Sequence, residues 1–310
     1  MKIGIIGRTE MLYNTCLILE EAGYEIKLII TSKESPEYKK KSSDFKFLSS
    51  KFNCEFIYTT KINSEETIGI IRRLKLDIGI SVNYVNVISK KVIDSFNLGI
   101  LNAHGGDLPK YRGNACQAWA IINGEDRIGL CIHKMVGGEL DSGDIIDREY
   151  LEININTKVT EVLNWISERV PYMFLKSLEN LKSNQNYILS KQSKNTKDIL
   201  RCYPRKPEDG KINWSKSSLE ILRLINASNL PYYGAFCNYD GIEMKIWEAE
   251  LVNDNENYLS IEGQISKVNF EEESIEVICG NGKIKIKLIE INGVIQPPTK
   301  LIRSIRKRLN

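Results

Sequence analysis

At 310 residues the chain has room for one large or two moderate domains. A net charge of +3, with 42% hydrophobic and 27% charged residues, gives no strong attraction to nucleic acid or to a membrane. Seven scattered cysteines without a CxxC pair and only two histidines argue against a disulfide framework and a metal centre, and reduced thiols among apolar neighbours fit better. No run reaches about 18 consecutive apolar residues, and the apolar stretch in MKIGIIGRTE is too short for a signal peptide. A soluble, cytoplasmic protein without a membrane span is expected.

In chain order, Lys2 to Ile6 is a short apolar run closed by Gly7, which reads as a buried parallel strand. Thr9 to Ala22 follows as a helix stopped by Gly23, and Tyr24 to Thr31 as a second strand. This β-α-β rhythm predicts a doubly wound, mostly parallel α/β sheet. Gly4 and Gly7 alone do not make a dinucleotide fingerprint. Ser32 to Ser43 is a polar, lysine-bearing loop. Helices are expected at Phe45 to Phe52, Ser64 to Leu74 and Ser89 to Phe96, and strands at Glu55 to Tyr58 and Asp77 to Val82. Residues 81–88 form a strand-end loop and could contact a ligand or merely connect.

Leu98 to Leu101 reads as a strand ending at Asn102, with His104 and Gly105-Gly106 on a flexible turn. Gln117 to Asn123 reads as helix, and Arg127 to Met135 and Ile145 to Ile153 as strands. Thr160 to Leu181 is amphipathic, and Pro171 within it predicts a kink or a break into two helices. The first domain is placed at 1–184, with a polar linker at 185–200 and a second domain at 201–310. There a helix, Leu219 to Ala227, precedes a turn at Leu230 to Ala235. Alternating runs follow at Met244 to Leu251, Gly263 to Val268, Ser274 to Cys279 and Lys283 to Ile291. These predict a small β-barrel of OB type.

The chemistry concentrates between Leu101 and Asp147. His104 can exchange a proton near neutral pH. Asn102, two residues earlier, points to the same side and offers an amide to a developing oxyanion. Asp141, on a glycine-flanked turn, can orient the imidazole. An amide, a base and a carboxylate without an adjacent Ser or Cys nucleophile suggest direct acyl transfer between two bound substrates. Singly, each residue type is more often a turn former or an ordinary hydrogen-bonding group than a catalytic one. Cys116 reads as packing, and His133, inside a strand, as structural.

Asn-Ala-His-Gly at 102–105, Leu-Pro-Lys-Tyr-Arg-Gly at 108–113 and Leu-Asp-Ser-Gly-Asp-Ile at 140–145 together resemble the formyltransferases that use 10-formyltetrahydrofolate. One departure is Asp107, where that family has Leu. Pro207 to Trp214 and Pro231 to Ala235 resemble its C-terminal signatures, so the resemblance covers nearly the whole chain. It implies Asn102, His104 and Asp141 as the catalytic residues, and a substrate amine attacking the formyl carbon in a ternary complex without a metal. It also implies folate binding by Ser81, Val82, Asn83, Tyr84 and Val85, and by Met135, Val136, Gly137, Gly138 and Leu140. Arg8, Thr9, Arg112 and Gly113 are the expected substrate contacts.

Two members of that family share a two-domain plan, the methionyl-tRNA formyltransferases and the N-formyltransferases of nucleotide-linked amino sugars. The tRNA enzymes' early Gly-Thr-Pro turn reads Gly7-Arg8-Thr9-Glu10 here, and their Pro-Asp…Gly-Arg-Gly loop is absent from SKESPEYKKKSS. Their Ala-Ala-Pro-Ile reads Asn114-Ala115-Cys116-Gln117. These departures and the weak net charge favour a nucleotide-linked amino sugar as partner over initiator tRNA. A barrel-like second domain and Lys39 to Lys41 are the features a tRNA acceptor would use. A non-catalytic folate- or nucleotide-binding relative is the alternative of another class. The sequence leaves the oligomeric state open, a homodimer included.

Overall fold

The computed structural model describes residues 1–35, 38–254 and 256–310. Pro36 and Glu37, within the expected polar loop, and Asn255 lie outside the described residues. The chain divides into two compact units. One comprises Met1–Cys116, Ile128–Leu151 and Leu163–Cys202, and the other Gln117–Arg127, Glu152–Val162 and Tyr203–Asn310.

The first unit is built on strands β1 (Lys2–Gly7), β2 (Glu25–Thr31), β3 (Glu55–Tyr58), β4 (Ile78–Val82) and β5 (Ile100–His104). Helices α1 (Thr9–Glu21), α2 (Ser42–Lys51), α3 (Glu65–Leu74) and α4 (Lys90–Ile93) connect them in turn. After a two-residue strand β6 (Arg112–Gly113) and helix α5 (Cys116–Asn123), which past Cys116 belongs to the second unit, come β7 (Arg127–Lys134) and β8 (Ile145–Glu152). The sheet order is β3-β2-β1-β4-β5-β7-β8. The first five strands pair in parallel, and β7 runs antiparallel to β5. Leu28, Ile29 and Ile30 are consecutive and all fully buried. Successive strand residues point to opposite faces, so both faces of the sheet are covered, as an unbroken apolar run requires. Ser64 caps α3 by accepting from the Thr67 N–H, the bond that an N-terminal serine supplies.

Three expectations change here. β5 runs through Asn102 to His104, so the imidazole stands on the last residue of a strand and is buried. Helix α6 (Val159–Ser183) is one continuous helix with Pro171 inside it, so of the two expected outcomes the break into two helices does not occur. The missing proline N–H removes one bond, but Val170, Met173 and Phe174 beside it are buried, and this packing outweighs the loss. Segment 185–200 is stitched to the sheet: Ser190 bridges Ile145, and β9 (Arg201–Cys202) pairs with β6.

The second unit carries helix α7 (Ser218–Ala227), which opens with a reciprocal Ser217–Glu220 capping box. Its strands are β10 (Ala235–Tyr239), β11 (Ile242–Val252), β12 (Ile265–Asn269), β13 (Ser274–Ile278), β14 (Lys283–Ile291) and β15 (Val294–Gln296). They form one antiparallel sheet in the order β10-β11-β14-β13-β12, with β15 on β14. In β14, Ile284, Ile286 and Ile289 face the core shared with Ile221, Leu222 and Ile225 of α7. Lys285 and Lys287, on the opposite face, pair with Glu250. Among the described residues the edge strands β10 and β12 do not pair with each other, so the expected barrel is not closed strand to strand. The C-terminal tail reaches both edges instead, Leu309 donating to Gly263 and Asn310 exchanging two backbone bonds with Asn238. β10, absent from the sequence expectation, enters the sheet through a hairpin at Asp240-Gly241.

Candidate active site

The carboxyl ends of β4 and β5 open onto a cleft of about 270 Å³. Such a position, outside the strand ends of an open sheet, is where these folds bind ligands. Its floor holds Asn102, His104, His133 and Asp141. The register of β5 on β7 sets Asn102 directly opposite His133. Asp141 arrives on a turn with φ +50, in the left-handed region. Gly143 lets that turn lie against β7, since a Cβ there would stand 1.9 Å from the Lys134 carbonyl oxygen.

Hydrogen bonds fix the proton positions. The His104 Nε2–H donates to the Tyr111 carbonyl at 2.6 Å, because a carbonyl can only accept. In the neutral ring this leaves Nδ1 as the free base, 3.5 Å from Asp141 Oδ2. The His133 Nδ1–H donates to the Lys134 carbonyl at 2.9 Å, so its Nε2 accepts from the Asn102 amide at 3.2 Å. His133 Nε2 also lies 3.5 Å from Asp141 Oδ1, and the Gly113 N–H donates to Asp141 Oδ2 at 3.0 Å. Two imidazoles therefore flank one carboxylate.

Burial, acting alone, would raise the Asp141 carboxyl. The charges of His104 and His133, the His133 contact and the Gly113 N–H outweigh it and bring Asp141 down to about 2. His104 moves below the usual histidine range, chiefly through burial, with the neighbouring Asp141 carboxylate pulling in the opposite direction. At neutral pH the cluster is a carboxylate beside a neutral imidazole whose proton uptake would create an ion pair. That is a base poised to be strengthened as it accepts a proton.

Of the expected folate contacts, Ser81, Asn83, Tyr84, Val85, Met135, Val136 and Leu140 line the cleft. Val82 is buried in β4, and Gly137 and Gly138 are not among the lining residues. Gly137 packs on α4, where a Cβ would stand 2.3 Å from Lys90 Cα. Of the expected substrate contacts, Gly113 lines the cleft and Arg112 is buried behind it, held by Gln192. Arg8 lies outside the lining, donating to the Asn83 and Lys33 carbonyls, and Thr9 is buried beside it. Cys116 packs as expected, with Sγ donating to the Tyr111 carbonyl.

The cleft also contains His133, which the sequence reads as structural, together with Asn86 of the 81–88 loop, Asn114 and Glu139. His133 belongs to the reactive cluster as well as to β7, and only strand register, which sequence spacing does not encode, reveals it. Val85, Val136 and Leu140 among the lining residues are exposed apolar side chains, suited to the faces of a flat ring. Among the described residues no group of three His, Cys, Asp or Glu could hold a metal ion, and no helix is long and apolar enough to cross a membrane.

A mostly parallel open sheet that carries an amide and an imidazole on β5 and a carboxylate on the turn after β7, followed in the chain by an antiparallel β unit, defines a two-part α/β architecture. The chain belongs to the formyl transferase family: residues 1–178 match the formyl transferase family itself and residues 205–305 its C-terminal domain. It is 29% identical over 296 residues to a methionyl-tRNA formyltransferase of Acetivibrio thermocellus, covering 94% of this chain and 92% of that one. Its fold is similar to an N-formyltransferase from Helicobacter canadensis solved with folinic acid and dTDP-3-aminofucose (TM-score 0.67, 20% identity, 92% of this chain and 98% of that one). It is similar also to HypX from Aquifex aeolicus (TM-score 0.62, 17% identity), where it matches 98% of this chain but spans only about half, 49%, of that longer protein.

Proposed function

We propose that the protein transfers a formyl group from 10-formyltetrahydrofolate to the primary amine of a nucleotide-linked amino sugar, acting in the cytoplasm. The observation that carries the transfer reaction is the cluster itself: Asn102, His104 and Asp141 converge on one cleft that has no Cys among its lining residues. The folate supplies an activated formyl group, and Ser81 to Val85 with Met135, Val136 and Leu140 would hold its pterin end. The Asn102 amide would donate to the oxygen that becomes negative as the amine nitrogen bonds to the formyl carbon. His104 Nδ1 would take the proton that the amine loses, beside the Asp141 carboxylate, and return it to the departing folate nitrogen. One C–N bond forms, one breaks, and the proton is conserved.

The sugar acceptor is supported by the departures from the tRNA-enzyme motifs at Arg8–Glu10 and Asn114–Gln117. The likeness in fold to an N-formyltransferase solved with a dTDP-amino sugar supports it further. The second reading, initiator methionyl-tRNA, is favoured by the name of the sequence relative that matches nearly end to end. Incubation with 10-formyltetrahydrofolate and either a panel of nucleotide 3- and 4-amino sugars or charged initiator tRNA decides between them. Turnover with a sugar and none with tRNA is expected. Efficient formylation of the tRNA would overturn the sugar reading, and binding of folate without any turnover would overturn both.

A further inference from the structure

Gln192 sits in the polar segment after α6, where sequence composition predicts a linker, yet it is 7% exposed. Its amide makes three contacts. Oε1 accepts from Arg112 Nη2 at 2.7 Å, while Nε2 donates to the carbonyl oxygens of Asp141 at 2.9 Å and Gly143 at 2.6 Å. The orientation is unambiguous, because a guanidinium only donates and two carbonyls only accept. A carboxylate, a hydroxyl or a shorter amide could not satisfy both sides at once. The rest of the segment is anchored on either side, by Ser190 on Ile145 and by β9 on β6.

Asp141 stands on a left-handed residue, a conformation that costs energy for a side chain and persists only where its surroundings hold it. The two N–H groups of Gln192 close that turn from behind, while the carboxylate faces the two imidazoles from the front. From this we infer that Gln192 is a positioning residue, which sets the Asp141 carboxylate against His104 and His133 by clamping the 141–143 turn to Arg112. It touches no reacting atom. The inference rests on the proposed role of Asp141 for its kinetic consequence, but not for its structural one.

The test uses the full chain and two variants. Gln192→Ala removes the clamp. Gln192→Glu keeps an acceptor for Arg112 but sets a carboxylate oxygen against the two carbonyls, so it separates turn-holding from simple space-filling. With the acceptor that supports turnover, kcat is expected to fall between about tenfold and about 100-fold in both variants, with KM for the formyl donor changing less. A second readout needs no substrate. The chain has only two histidines, so the imidazole signals of His104 and His133 can be followed by NMR titration and assigned with His133→Gln. The charged and titratable groups around His104 are Asp141, His133, Arg112 and the Cys116 thiol, and Asp141 is the one that favours its protonated form. In Gln192→Ala, which changes no charge, His104 is expected to titrate at lower pH than in wild type. Adding Gln192→Ala to Asp141→Asn should then produce little further change. An unaltered His104 titration in folded Gln192→Ala, or an additive effect of Gln192→Ala and Asp141→Asn, would overturn the inference. Absence of turnover with every acceptor would count against the proposed function alone, since the titration would still report on the clamp.

Discussion

Asp141→Asn separates charge from shape at the centre of the cleft. The asparagine can still accept the Gly113 N–H through its carbonyl oxygen, so the loss is the negative charge 3.5 Å from His104 Nδ1. Opposite unit charges about 4 Å apart attract by about 4 kcal/mol at the effective dielectric of about 20 that suits protein sites. That attraction exists only after the imidazole has taken a proton, so it belongs to the transition state rather than to the bound ground state. At about 1.4 kcal/mol per tenfold, kcat should fall by about 10³-fold. KM for 10-formyltetrahydrofolate should change little. Because Asp141 raises the proton affinity of His104, the acid limb of the kcat/KM profile should move to lower pH in the variant. Steady-state rates of tetrahydrofolate release from about pH 5 to 9 measure both. A variant retaining more than about a tenth of wild-type kcat, or an acid limb displaced to higher pH, would refute the assignment of Asp141 as the partner of the base.

Replacing His133 by Leu removes the acceptor that orients the Asn102 amide and should lower kcat by about tenfold or more, since a lost buried partner costs about 1–3 kcal/mol; unchanged kinetics would return His133 to a purely structural role. Stability should fall on acidification in two steps. His104 is depressed by burial, so its contribution is complete above the ordinary histidine range near pH 6.5 and erodes as the unfolded chain takes up the proton first below it. Asp141, brought down to about 2, contributes above about pH 4 and loses that contribution as pH falls towards 2. Thermal melts from pH 8 to 5 of wild type and His104→Gln measure the first step, and an equally steep decline in the variant would exclude His104 as its source. Gly143→Ala sets a methyl 1.9 Å from the Lys134 carbonyl, so the turn carrying Asp141 must move. Folded protein by circular dichroism with strongly reduced turnover is expected, and full activity would mean that the turn tolerates displacement.

The central strands were legible because burial on both faces leaves no polar position to disguise them: KIGIIG and IGISV read as strands and are strands. Asn102, His104 and Asp141 could be grouped from their side-chain chemistry and motif spacing, and they meet in one cleft. What could not be read depends on partners distant in the chain. His133 looked like any strand residue until the β5–β7 register set it opposite Asn102, 31 positions away. β10 did have a local signal in Asp240-Gly241, a pair suited to the left-handed φ values of 49° and 84° that a two-residue hairpin uses here. Gln192 is the instructive case. Composition marks its neighbourhood as solvent-exposed because Lys, Ser and Asn surround it, and most of those neighbours are exposed. A single buried amide among them needs a donor on one side and acceptors on the other, and Arg112, Asp141 and Gly143 supply these from positions that only the folded chain brings together. Reactive groups can be recognised by their chemistry one residue at a time. The groups that hold them in place are defined by complementarity, and so become visible only with the fold.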